Sequence, residues 1–123
     1  MKVSRSAIMH VLAHTGNIQM DKTEIIEIVR KYSELVKANF PADKIILYGS
    51  YAHGCPSEDS DIDVAVVVKE FKGDILESSA ELYRLADGID VRIEPVILDV
   101  NHDRSGFLAE ILKTGEIIYD KNA

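Results

Sequence analysis

The sequence has little cysteine and no long hydrophobic run. Cys55 is the single cysteine among 123 residues, so no disulfide can form within the chain, and nothing indicates an oxidising compartment. No apolar stretch approaches the ~20 residues that a membrane-spanning helix needs. Near the N-terminus, Lys2 and Arg5 precede an apolar stretch that is broken by His10 and His14, which makes a poor signal peptide. We therefore expect a cytoplasmic protein that does not enter a membrane.

The sequence also lacks an excess of positive charge, because its net charge is −7. A long nucleic acid would need a groove rich in lysine and arginine to offset its phosphates, and no such cluster is present. This argues against a long nucleic-acid substrate, whereas an acidic surface suits a basic protein partner. The content of 46% hydrophobic and 28% charged residues is typical of a soluble domain, and the length allows one domain with a core of its own.

Local patterns predict a domain in which helices alternate with strands. Residues 1–19 are weakly patterned, and we interpret them as an N-terminal extension, either a short helix or an unstructured segment, so that the domain would span residues 20–123. Within it, the predicted helices cover 21–39, about 75–86 and about 106–113, and the predicted strands cover 45–48, 62–68, 89–98 and 116–119. This order predicts an α/β (α+β) fold with a mixed β-sheet and flanking helices.

A glycine–serine pair follows the first predicted strand. Gly49 allows a sharp turn and a close approach of the backbone to a ligand. Ser50 adds a hydroxyl and a backbone N–H, and a helix that starts nearby would add further N–H donors for a phosphate. The pair is therefore predicted to bind the phosphates of a nucleotide.

Two aspartates stand at the start of the next strand. Asp61 and Asp63 are separated by one residue, so in a strand they point to the same face, roughly 6–7 Å apart. Two such carboxylates can hold one or two Mg²⁺ ions, which stabilise the attacking and leaving oxygens of an in-line displacement. Ala65 is small and is expected to leave room on that face, and the opposite face is expected to be buried through Ile62, Val64, Val66 and Val68. The alternative is an ordinary hairpin whose aspartates cap the loop or face solvent.

The spacing G-S-x10-D-x-D resembles that of the polymerase-β-type nucleotidyltransferase superfamily, and the resemblance covers residues 20–120. The short length is similar to its minimal nucleotidyltransferases (MNT), many of which are encoded beside a HEPN-domain protein. The resemblance implies a polymerase-β-like nucleotidyltransferase fold reduced to its catalytic domain. It also implies ATP as the donor and Mg²⁺ or Mn²⁺ as the cofactor.

Members of the superfamily use a third acidic residue on a neighbouring strand. The predicted strand 89–98 offers Glu94 as the first candidate, and Asp90, in the same phase, as the reserve. The alternative for Glu94 is a surface ion pair with Arg92. Pro95 removes a backbone donor, so we expect an edge or a bulge there.

The chain departs from the pattern of its relatives directly after the glycine–serine pair. Many relatives carry arginines there, whereas this chain has Tyr51, Ala52 and His53. Tyrosine carries no positive charge, and a histidine is mostly neutral at pH 7. Neutralisation of the triphosphate is therefore expected to fall on metal ions and backbone donors.

The resemblance implies Mg²⁺-dependent transfer of AMP from ATP to a hydroxyl of a HEPN toxin, with this chain acting as the antitoxin. Gly49 and Ser50 would hold the triphosphate, Asp61 and Asp63 would bind metal, and Glu94 would hold a second metal or accept the proton of the acceptor. Two alternatives stay open: a small-molecule nucleotidyltransferase similar to aminoglycoside-modifying relatives, and a catalytically weak module that masks a partner by binding. Self-association also stays open.

Overall fold

The computed structural model describes residues 22–49, 51–52 and 60–123. The predictions for residues 1–19, Ser50, His53 and Cys55 lie outside the described residues. The described chain runs α1 (Lys22–Asn39), β1 (Lys44–Tyr48), β2 (Ile62–Val68), α2 (Ile75–Asp87), β3 (Ile93–Asp99), a 3₁₀-helix (Val100–His102), α3 (Phe107–Thr114) and β4 (Glu116–Asp120). This order of helices and strands confirms the predicted one.

The four strands form one mixed sheet in the order β3-β2-β1-β4. Strand β1 is antiparallel to both β2 and β4, whereas β2 and β3 are parallel. A parallel pair needs a crossover connection, and α2 provides it. As a result β2 and β3 both begin at the end of the sheet at which β1 finishes.

Helices cover both faces of the sheet. Helices α1 and α2 pack on one face, where the core includes Val29, Tyr32 and Leu82. On the other face α3 covers a smaller cluster that contains Ile46, Ala65, Val67, Leu108 and Ile111. The expectation that Ala65 leaves room beside a metal is therefore wrong, because Ala65 is fully buried under α3. On that face the start of β2, at Asp63, stays partly exposed.

The predicted helix boundaries agree closely with the structure. Asp74 caps α2 by accepting hydrogen bonds from the backbone N–H groups of Leu76 at 2.9 Å and Glu77 at 3.1 Å. Gly88 follows the end of that helix. No helix of the described residues is long and apolar enough to span a membrane.

Strand β3 begins later than the sequence predicts, at Ile93 instead of residue 89. The carboxylate of Asp90 accepts a hydrogen bond from the backbone N–H of Arg92 at 2.9 Å, which closes a local turn. Such a side-chain bond to the backbone competes with strand pairing. Strand β3 lies at the edge of the sheet, so Pro95 is tolerated there. Of the expected edge or bulge, the structure has the edge.

Candidate active site

An open cleft lies where β1 ends and where β2 and β3 begin. Its volume is about 310 Å³, and it is lined by Tyr48, Asp61, Asp63, Tyr83, Glu94, Pro95 and Val96. The register of the sheet explains this grouping, because Asp63 pairs with Glu94 on the parallel strand β3 and with Tyr48 on the antiparallel strand β1. The structure thus brings Glu94, which is distant in sequence, into one cleft with Asp61 and Asp63.

Gly49 lies directly against the carboxylate of Asp63. Its φ is +78°, a left-handed conformation that favours glycine. A Cβ at this position would overlap Asp63 Oδ2 and would lie 3.2 Å from Asp63 Cγ. The turn therefore needs glycine both for its backbone conformation and for the close approach to Asp63. The predicted role of Gly49 at a phosphate stays a prediction, as does that of Ser50, which lies outside the described residues.

The cleft is crowded with negative charge. Burial, and then the charges of Asp61 and Glu94, raise the pKa of Asp63 to about 6. Burial, and then the charges of Asp63 and Glu94, raise the pKa of Tyr48 to about 12, so its hydroxyl stays protonated at neutral pH. The electrostatic potential of the cleft therefore favours binding of a cation and disfavours binding of an anion without a cation.

The structure places Glu94, and not Asp90, in the cleft. Glu94 Oε2 accepts a hydrogen bond from the hydroxyl of Tyr83 at 2.7 Å. Asp90 lies in the turn before β3 and binds the guanidinium of Arg92, at 3.0 Å from Nε and 2.8 Å from Nη2. Burial raises the pKa of Asp90, but the hydrogen bonds and charge of Arg92 outweigh it and leave that pKa below its usual value. The third acid of the cleft is thus Glu94 by position.

The acidic side chains of the cleft fit a divalent cation whose coordination is completed by a bound ligand. Among the described residues, no three His, Cys, Asp or Glu side chains converge as ligands of one ion. Mg²⁺, however, is commonly held by one or two carboxylates and the phosphates of a substrate. Asp61 and Asp63 provide such oxygens. Burial, and then the charges of Asp61 and Glu94, raise the pKa of Asp63, and a bound cation would favour its charged form. The donor set therefore suits Mg²⁺ or Mn²⁺ together with a nucleotide.

Tyr51, at the position where the family resemblance led us to expect an arginine, belongs to the core. Its side chain is 5% exposed. The neighbouring cation is Arg92, whose pKa is raised chiefly by its hydrogen bond to Asp90 and to a smaller degree by Tyr51. The side chain at this position therefore contributes to core packing.

Sequence reasoning missed two tyrosines of the cleft. Tyr48 immediately precedes Gly49, so its position in the motif could have indicated it. Its ring also packs edge-on against Phe107 of α3, with centroids 5.6 Å apart. Tyr83 has no such signal, because its place in the cleft depends on how α2 packs beside β3.

Residues 23–123 match the family Polymerase beta, Nucleotidyltransferase. The chain belongs to this family, and its class of activity is nucleotidyl transfer. This confirms the resemblance that the spacing of Gly49, Ser50, Asp61 and Asp63 indicates.

A relative from Methanocaldococcus jannaschii, assigned as a protein adenylyltransferase, is 34% identical over 80 residues, which cover 60% of this chain and 79% of the relative. The crystal structure of a Sulfolobus solfataricus protein, assigned as a nucleotidyltransferase, has a TM-score of 0.63 at 20% identity and covers 99% of this chain and 94% of that one. The structure of a complex of an MNT antitoxin with tri-AMPylated Shewanella oneidensis HEPN toxin has a TM-score of 0.55 at 21% identity. The match covers 82% of this chain and 74% of that one. The structural matches show that the fold is that of polymerase-β-like nucleotidyltransferases.

Proposed function

We propose that this chain transfers AMP from ATP to a hydroxyl of a HEPN-type partner protein, with Mg²⁺ or Mn²⁺, and thereby acts as an antitoxin. The observation that carries the proposal is the cleft in which Asp61, Asp63 and Glu94 lie together beside the turn at Gly49. Two similarities support the choice of acceptor: the relative that is assigned as a protein adenylyltransferase, and the fold shared with an MNT antitoxin bound to a tri-AMPylated HEPN toxin.

In this proposal the start of β2 binds the donor. Asp61 and Asp63 would hold the divalent cation together with the phosphates of ATP. When bound, the cation would neutralise charge on the phosphates and on the departing pyrophosphate. Gly49 carries no side chain, so its backbone can approach the phosphates closely, and Ser50 would add a hydroxyl next to it.

The transfer step needs a base on the acceptor side. The acceptor oxygen forms a bond to the α-phosphorus, the bond from that phosphorus to the bridging oxygen of the β-phosphate breaks, and pyrophosphate leaves. Glu94 lies on the neighbouring strand, opposite Asp63, and would accept the proton of the attacking hydroxyl. Most of the rate acceleration would then come from positioning and electrostatic stabilisation.

The size of the cleft and the net charge of the protein favour an acceptor on another protein. The cleft of about 310 Å³ is at the low end of the roughly 300–1,000 Å³ usual for small-molecule sites, so a nucleotide would fill most of it. An acceptor hydroxyl would then have to enter from outside, on a partner that completes the site. The net charge of −7 would favour docking to a basic partner.

The proposal is tested by incubating the protein with ATP, Mg²⁺ and the product of its neighbouring gene, which the proposal expects to be a HEPN-type protein. Intact-mass spectrometry should show one or more AMP units on that partner. The matched control is the Asp61→Asn/Asp63→Asn double variant, which keeps the size of both side chains and should add none. A partner that is bound and inhibited but unmodified would support the masking module instead. Adenylylation of a small alcohol, with no protein acceptor, would support the small-molecule enzyme.

A further inference from the structure

The side chain of Tyr83 reaches the cleft from α2, on the side of β3. Its hydroxyl donates a hydrogen bond to Glu94 Oε2 at 2.7 Å. This distance is typical of a strong bond between a hydroxyl and a carboxylate. Tyr83 thus contacts the carboxylate to which the proposed function assigns the proton of the acceptor.

Glu94 needs such a contact because of where it stands. A glutamate side chain has three rotatable bonds, and this one projects from an edge strand next to Pro95, which donates no backbone hydrogen bond. Its carboxylate lies in the same cleft as that of Asp63, its register partner on β2, so the two negative charges repel each other. Before a cation binds, this repulsion favours rotation of Glu94 away from Asp63. The bond from Tyr83 opposes that rotation.

The position of Tyr83 is itself set by the core. Leu82, the residue before it, is 1% exposed, and Ala86 is fully buried. In addition, the hydroxyl of Tyr32 on α1 donates a buried hydrogen bond to the carbonyl oxygen of Leu82 at 2.8 Å. Helix α2 is therefore held on both sides of Tyr83, so the hydroxyl approaches Glu94 from a rigid base.

We propose that Tyr83 is a positioning residue for nucleotidyl transfer, acting through Glu94. Its hydrogen bond to Oε2 restricts the rotation of the Glu94 side chain and therefore the positions that the carboxylate can take. Preorganised placement of this kind speeds a reaction without contact with the reacting atoms. The inference rests on the proposed role of Glu94.

The first test measures adenylyl transfer by the Tyr83→Phe variant, which loses the hydroxyl and keeps the ring. Loss of one hydrogen bond to a charged group should lower kcat about tenfold, while KM for ATP should stay within about twofold. The matched control is Tyr119→Phe, the same change on β4, which should transfer AMP as the wild type does.

A double variant separates positioning from a general structural effect. If Tyr83 acts through Glu94, Tyr83→Phe should cause no further loss of kcat in the Glu94→Gln background. A repeat of the tenfold loss in that background would show that Tyr83 acts independently of Glu94 and would overturn the inference. Wild-type kcat in Tyr83→Phe would overturn it as well.

A measurement without turnover keeps this inference distinct from the proposed function. In protein with ¹³C-labelled glutamate carboxyl groups, the Glu94 resonance is assigned by its loss in Glu94→Gln. That resonance should move in Tyr83→Phe and stay in place in Tyr119→Phe. If the wild type fails to modify the HEPN protein but the resonance responds in this way, the choice of acceptor is wrong and the contact between Tyr83 and Glu94 stands. An unmoved resonance in Tyr83→Phe would refute the contact itself.

Discussion

The two ends of the central strands both carry acidic side chains, but the described residues around them differ. At the end away from the cleft, Asp43 is buried, with a side-chain exposure of 7%, and lies 3.3 Å from the ammonium of Lys44 and 4.0 Å from that of Lys69. At the cleft end, Asp63 lies among other carboxylates. Of the described residues that line the cleft, none is basic.

The backbone at Asp43 explains why its end of the sheet is structural. The N–H of Asp43 donates to the carbonyl oxygen of Val67 at 2.7 Å, and its own carbonyl accepts from the N–H of Lys121 at 2.9 Å. Asp43 therefore ties β2 to the end of β4, and the lysines offset its charge. The comparison teaches that a half-buried carboxylate among like charges marks a candidate functional site, whereas a carboxylate paired with lysines stabilises the fold.

The largest expected effect concerns Glu94. Glu94→Gln is nearly isosteric and removes the proposed base, so kcat for AMP transfer should fall by roughly 10²-fold, with much less change in ATP binding. Asp90→Asn is the matched control, because Asp90 binds Arg92 outside the cleft, and its kcat should stay near that of the wild type. Full activity in Glu94→Gln together with an inactive Asp90→Asn would transfer the role to Asp90.

The stability gained on ligand binding should depend on Asp63 at the cleft end of the sheet and not on Asp43 at the other end. ATP with Mg²⁺ at about 100 times its Kd should raise the free energy of unfolding of the wild type by about 2.7 kcal/mol. Asp63→Asn should lose this gain, whereas Asp43→Asn should keep it. Thermal unfolding with and without ATP–Mg²⁺ measures both. Equal gains in the wild type and in Asp63→Asn would mean that Asp63 does not bind the metal.

Removal of the charge at Asp43 should destabilise the protein. Asp43→Asn weakens the interactions with Lys44 and Lys69, and we expect a loss of about 1.5 kcal/mol in the free energy of unfolding. Urea denaturation of the variant and the wild type at pH 7 without nucleotide measures the difference. An unchanged midpoint would show that solvent already screens these pairs and that the two ends differ less than the distances suggest.

The smallest effect is a pH dependence at Asp63. Its folded pKa of about 6 lies above the usual 3.8, so between these values the folded state binds more protons than the unfolded state. The contribution of Asp63 to the free energy of unfolding therefore falls as pH rises from about 4 to about 6. Because the carboxyl is partly exposed, we expect only about 1 kcal/mol.

The Asp63→Asn variant isolates that contribution from those of the other acidic residues. At pH 7 without ligand it should be about 1 kcal/mol more stable than the wild type, and the two should converge near pH 4. Denaturation curves of both proteins across this pH range check the sign. A variant less stable than the wild type at pH 7 would show that the carboxylate at this position stabilises the fold, as that of Asp43 does.

Much of the fold could be predicted from the sequence because its signals are local. The apolar stripe of α1 and the cap at Asp74 depend on residues within a few positions of one another. The same holds for the turn at Gly49 and the pair Asp61 and Asp63. The start of β3 could not be predicted, because the bond from the Arg92 backbone to Asp90 opposes a sequence pattern that favours a strand.

The sequence by itself thus determined the order of elements, the family and the two aspartates at the start of β2. Only the tertiary structure decided which further groups meet them, because the register of two parallel strands joined by a helix is not a local property. That register sets Glu94, and not Asp90, beside Asp63. The packing of α2 on the same strand brings the hydroxyl of Tyr83 to Glu94, since a helix presents a side chain to a site only after its buried face has docked.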